Sequence, residues 1–120
     1  MNVLITGGAG FIGYHLAKYH HDLGDSVTIF DNFFKSSGDT DIEFEGLIQQ
    51  ERIQFCKVNL NEPIPADIEA PRSFDFIYHL AAINGTRLFY EMPYEVAVTN
   101  LSVTINLLKW LENVSFKRLV

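Results

Sequence analysis

The stretch NVLITGGAGFIG, residues 2–13, constrains this chain more than any other. A short run rich in β-branched side chains stops at Gly7 and Gly8, which is the pattern of a buried strand entering a tight turn. Ile12, Leu16, Tyr19 and Leu23 then recur at helical spacing on one face, and Gly24 stands where a left-handed residue ends a helix. SVTIF, residues 26–30, reads as a second strand that closes on Asp31. Strand, helix and strand within about thirty residues is the length of a βαβ unit.

Each glycine of the turn has a distinct physical task. Gly7 permits the sharp exit from the strand, Gly10 lets a phosphate approach backbone without meeting a Cβ, and Gly13 lets the helix pack closely on the strand. The start of that helix offers unpaired N–H groups and about half a positive charge, which suits a pyrophosphate. Glycine spacing alone is weak evidence. It gains weight here because a strand precedes it, a helix follows it, and Asp31 ends the next strand. That carboxylate is placed to accept both hydroxyls of an adenosine ribose and to repel a 2′-phosphate, so NAD is favoured over NADP. Lys35 is the one nearby cation that offsets this repulsion.

The remainder keeps alternating. NFFKSSGDTD (32–41) reads as a loop, IEFEGLIQQ (42–50) as a short helix and RIQFCKV (52–58) as a third strand. Three prolines between Asn61 and Ser73 predict an irregular connection. FDFIYHLAA (74–82) is a fourth strand with its exit. From Pro93 to about Asn113 runs the longest helical pattern, with Ala97, Leu101, Ile105 and Leu108 on one side, and FKRLV (116–120) opens a fifth strand. The class is therefore α/β, a doubly wound parallel sheet of the Rossmann type with helices on both faces, in one domain spanning residues 1–120. Ending on a strand without a closing helix, it reads as the N-terminal part of a longer protein, incomplete at the C-terminus.

Composition removes several classes of function. The net charge is −6 and the nine basic residues are scattered, so a phosphate-tracking nucleic-acid surface is not expected. Cys56 is the only cysteine, which leaves no disulfide framework and no cysteine-built zinc site; it reads as a small interior side chain. No apolar run approaches the roughly 20 residues that cross a bilayer, and the chain opens on a strand rather than a basic leader. The expected setting is the cytoplasm, with no membrane partner. His20 and His21 point about 100° apart on a helix, which argues against a metal pair and for a solvated helix end.

Taken in order and spacing, TGGAGFIG (6–13), DNFFKSSG (31–38), VNL (58–60), HLAA (79–82) and TNLSVTINLL (99–108) make the chain resemble the extended short-chain dehydrogenase/reductases. These are the NAD-dependent epimerases, dehydratases and decarboxylases of nucleotide sugars. The resemblance implies that the Phe11 and Ile12 N–H groups meet the pyrophosphate. It implies that Asp31 and Asn32 hold the adenosine ribose with Ser36 nearby, and that Asn59 and Leu60 meet the adenine. Ala81 and Ala82 would line the cofactor, and Asn100 would support the catalytic region. The family usually has Asp where Asn59 stands and a glycine where Val103 stands. In the family the segment from Asn84 approaches nicotinamide and sugar, which makes Asn84, Thr86 and Arg87 candidate polar contacts. A nucleotide-sugar substrate and a homodimer are implied for the complete enzyme. His79, between Tyr78 and Leu80, reads as a satisfied interior side chain rather than a catalyst.

Such enzymes oxidise a sugar hydroxyl transiently, with a Tyr as base and a Lys four residues later that lowers its pKa. Only Tyr14 and Lys18 have that spacing here, and they lie in the phosphate helix. The catalytic pair is expected beyond Val120, so the chain alone is expected to be inactive. The competing expectations are a non-catalytic NAD-sensing or interaction module in the same fold, and an NADP reductase.

Overall fold

The computed structural model describes residues 1–33, 41–83 and 85–120. Five strands are described: β1 (Asn2–Thr6), β2 (Ser26–Asp31), β3 (Ile53–Lys57), β4 (Ser73–His79) and β5 (Ser115–Leu119). They form one sheet in the order β3-β2-β1-β4-β5, every pair parallel. Strand order reverses between β1 and β4, where Thr6 lies beside His79 in register.

Helices cover both faces, because side chains alternate along each strand. Val3, Ile5, Val27 and Ile29 point to one side, where they meet Ala17 of α1 (Phe11–Asp22) and Phe44 and Leu47 of α2 (Ile42–Ile48). Leu4, Phe30, Phe74 and Ile77 point to the other, against Val103, Leu107, Trp110 and Leu111 of the long helix near the C-terminus. This is the doubly wound arrangement that the alternation of patterns predicts. The Asn61–Ser73 connection carries no helix, only turns such as Ile68 N–H to Pro65 O at 3.2 Å.

Both long helices turn a different face inward from the one the apolar spacing marks. In α1 the buried residues are Gly13, Ala17 and His20, while Ile12, Tyr19 and Leu23 are exposed. In α1 the reason is steric: its first turns lie so close to the glycine turn that only the small Gly13 and Ala17 fit beneath them. His20, farther along the same face, is no solvated helix end. It is buried, with Nδ1 2.7 Å from Asp25 Oδ2 and Nε2 3.4 Å from the Tyr78 hydroxyl. The other Asp25 oxygen accepts from the Met1 ammonium at 2.7 Å, and these partners hold the Asp25 carboxyl below its ordinary pKa, His20 first.

The segment before the long helix forms a short helix that the sequence pattern does not reveal, α3 (Thr86–Glu91), followed directly by α4 (Pro93–Leu111). Pro93 occupies the first turn of α4, where its missing N–H is harmless. Cys56 is only half-buried; burial raises its thiol pKa, and Sγ lies 3.6 Å from the Glu69 carbonyl.

Candidate cofactor site

A cavity of about 430 Å³ opens at the C-terminal ends of the strands, at the crevice where strand order reverses. Its walls are the glycine turn, the end of β2, the segment after β3 and the exit of β4.

The turn is built by close approach. Gly7 has φ +73°, a left-handed value, and a Cβ there would lie 2.8 Å from the Ala81 backbone nitrogen. At Gly13 a Cβ would collide with Gly7 O and Gly8 Cα, so this residue seats the helix on the turn itself rather than on the strand. Gly8, whose role the motif does not announce, lies against the Ile29 side chain. At Gly10 the only near neighbour of an added Cβ among the described residues is Gly7 O at 3.3 Å, so a side chain would project into the cavity that Gly10 lines.

Gly10 is the N-cap of α1, with no side-chain cap and no acid in the first turn. Tyr14 N–H bonds to Gly10 O at 2.8 Å, whereas the N–H groups of Phe11, Ile12 and Gly13 find no acceptor among the described residues. A helix start left bare in this way is an anion site in waiting.

Asp31 shapes the opposite wall. One carboxylate oxygen accepts Ala9 N–H at 2.9 Å and the other accepts Phe33 N–H at 2.7 Å, and each retains lone-pair capacity toward the cavity. Asp41, the N-cap of α2, is the second acid on the lining, and among the described residues no base lines it.

Of the residues singled out from sequence, Gly7, Gly10, Phe11, Asp31, Asn32, Leu60, Ala81 and Ala82 line this one cavity. Ile12 is exposed and lies outside the lining, and Gly13 supports the turn from beneath. Asn59 also falls outside it and is exposed, its side-chain oxygen accepting Asn61 N–H at 3.1 Å. Ser36, Lys35 and Asn84 lie outside the described residues. Val58, Asn61, Leu80, Ile83, Thr99 and Val103 line the cavity without having been singled out as site residues. For Val58, Asn61, Leu80 and Ile83 the signal was the strand-end positions after β3 and β4, whereas Thr99 and Val103 reach the same rim from α4.

Asn100 lies outside this lining, on α4, where it clamps one residue of the β4 exit. Its side-chain oxygen accepts Ile83 N–H at 2.7 Å and its amide donates to Ile83 O at 3.1 Å. His79 is half-buried; Nδ1 lies 2.7 Å from the Thr6 hydroxyl and Nε2 lies 3.0 Å from the Thr104 hydroxyl. Burial lowers its pKa.

The family model described as "NAD dependent epimerase/dehydratase family" matches residues 3–120. The chain belongs to this family. Among curated relatives, it is 39% identical over 106 residues to the UDP-N-acetyl-alpha-D-glucosaminuronate decarboxylase of Bacillus cytotoxicus, covering 88% of this chain and 31% of that protein. It is 31% identical to UDP-glucuronic acid decarboxylase 1 of Arabidopsis thaliana, covering 90% of this chain and 23% of that one. The fold matches a variant of UDP-glucuronic acid 4-epimerase from Bacillus cereus in complex with UDP-4-deoxy-4-fluoro-glucuronic acid and NAD. That match has TM-score 0.81 and 29% identity over 99% of this chain and 38% of that one. The family member described here thus spans between 23% and 38% of the length of these three relatives.

Proposed function

We propose that this chain is the NAD-binding part of an enzyme that acts on a nucleotide sugar by transient oxidation of a sugar hydroxyl. One observation carries the reading: the bare helix start behind Gly10 and the Asp31 carboxylate face one cavity at the reversal of strand order. The cavity fits the cofactor on its own terms, with a glycine where a Cβ would intrude and unpaired N–H groups where charge is needed. Bound NAD supplies a hydride acceptor for the sugar hydroxyl.

In this reading the N–H groups of Phe11 and Ile12 hold the pyrophosphate, with Gly10 leaving room for it and Gly7 and Gly13 keeping the turn tight. Asp31 and Asn32 hold the adenosine ribose, with Ser36 assigned to the same region from the sequence. Leu60 supplies apolar wall to the adenine and Asn59 its polar edge. Ala81 and Ala82 are small because the cofactor lies against them, and Asn100 supports them through Ile83. Two acids and no base on the described lining favour NAD over NADP.

Tyr14 and Lys18 are not the catalytic pair. Lys18 Nζ bonds the Asp22 carboxylate at 2.6 Å on the exposed face of α1, and neither residue lines the cavity. The Tyr and Lys of the reaction are therefore assigned to sequence beyond Val120, and two copies are proposed to pair along α4. Calorimetric titration of the full chain with NAD and with NADP is the test. NAD uptake that Gly10→Val abolishes supports the reading; no NAD uptake by the folded chain, or tighter NADP binding, overturns it.

A further inference from the structure

Thr6, His79 and Thr104 form a hydrogen-bonded run from β1 through β4 to α4 that ends on the Asn100 backbone carbonyl, and the Asn100 side chain in turn clamps Ile83 at the β4 exit. Its proton arrangement can be worked out from the donors and acceptors. The Thr104 hydroxyl donates to the Asn100 carbonyl at 3.0 Å, so at its 3.0 Å contact with His79 it must accept, which puts the proton on Nε2. Nδ1 is then bare and accepts the Thr6 hydroxyl proton at 2.7 Å, while Thr6 Oγ1 accepts Ala81 N–H at 3.1 Å. From Thr6 through His79 to Thr104 each donor is used once and each acceptor is met. The other tautomer would leave the fully buried Thr6 hydroxyl proton without an acceptor among the described residues.

The two ends of this arrangement are two walls of the cavity: Ala81, held through Thr6, and Ile83, clamped by Asn100. We propose that His79 is a positioning residue: a neutral imidazole carrying its proton on Nε2, it locks β1 to α4 and so fixes the Ala81 and Ile83 backbone on which the cofactor rests. Its consequence for affinity rests on the NAD reading; its consequence for the backbone does not.

The test uses the full chain at pH 7.5. Long-range proton–nitrogen NMR should show His79 protonated on Nε2, and an Nδ1–H tautomer would overturn the proposal. Thr104→Val removes the acceptor while keeping the shape. Amide exchange at Ala81 and Ile83 should then quicken about three- to tenfold, the worth of one hydrogen bond, with Val3 and Ile5 unchanged. His79→Gln alone, which keeps a donor toward Thr104, should leave Ile83 near its parent rate. Uniform acceleration across the sheet, or none at either amide, would leave His79 a packing residue only. NAD affinity of Thr104→Val should fall several-fold, and an unchanged affinity in a chain that binds NAD also overturns the proposal. A chain that binds no NAD at all sinks the cofactor reading, while the exchange data still decide the role of His79.

Discussion

The Asp31 carboxylate accepts the Ala9 N–H at 2.9 Å, so the tip of β2 and the glycine turn after β1 are held at a fixed separation by one side chain. Because its second oxygen takes Phe33 N–H at 2.7 Å, the same carboxylate also orders the first residues of the following loop. A group assigned to a ribose is therefore part of the scaffold that shapes the site. Asp31→Ala should cost about 1–3 kcal/mol in urea unfolding, the range for hydrogen bonds to a charged group, and reduce NAD affinity at least about tenfold. Asp31→Asn keeps one acceptor oxygen and should fall between. Unchanged affinity in either variant would remove Asp31 from the cofactor site.

Two helical glycines offer a contrast that isolates close approach from helix propensity. At Gly13 an added Cβ meets the backbone of Gly7 and Gly8, which cannot yield as a flexible side chain would. Gly13→Ala should therefore destabilise by about 1–3 kcal/mol, as overpacking does. Gly46 lies inside α2 with nothing among the described residues within 4 Å of an added Cβ, and its φ is not left-handed. Gly46→Ala should stabilise by about 0.5–1 kcal/mol. Chemical unfolding of the two variants beside the parent measures both signs.

The parallel sheet and the turn were legible because short β-branched runs and glycine spacing are local signals, and a parallel sheet follows from the alternation of strands with helices. What sequence could not reveal was which helix face turns inward. Apolar periodicity marks Ile12, Tyr19 and Leu23, but close contact with the turn requires Gly13 and Ala17 beneath, so the larger side chains are displaced to solvent. His20 was misread for a different reason: its burial depends on Asp25 and Tyr78, and Tyr78 is 58 residues away in the chain. Val58 and Thr99 lie in motifs that assign them no role, Ile83 lies in none, and the three become neighbours only through the crossover topology. The helix α3 is six residues long, too short for a periodic signal.

Asp25 links the fold to pH. Its carboxyl is held below the ordinary value of 3.8 by the hydrogen bond to His20, then by that to the Met1 ammonium. A depressed folded pKa means that the unfolded chain takes up a proton first, so stability is fully present above about pH 4 and declines as pH falls through the folded value. Urea midpoints between pH 5 and pH 2.5 should show this loss. Asp25→Asn should be less stable than the parent at pH 5, with the gap narrowing as acid is added. A gap that is constant across the range would show that the carboxylate contributes no charge-dependent stability.

Tyr94, Val98, Leu101, Ile105 and Leu108 form a stripe along α4 at alternating four- and three-residue spacing, all exposed, with Leu101 at 63%. That spacing is the seam of a helix that packs lengthwise on another helix, and the sheet-facing side of α4 is already filled by Val103, Leu107 and Trp110. A charge placed on the stripe should therefore leave the folded chain intact and disrupt only what covers it. The double variant Leu101→Glu with Ile105→Glu should keep its unfolding midpoint within about 0.5 kcal/mol, the usual range for surface changes. If two copies pair along this helix, sedimentation of the parent chain should show a dimer that the variant converts to a monomer. A parent chain that stays monomeric at every concentration would remove pairing along α4, and a variant that loses stability as a monomer would place the stripe inside the fold instead.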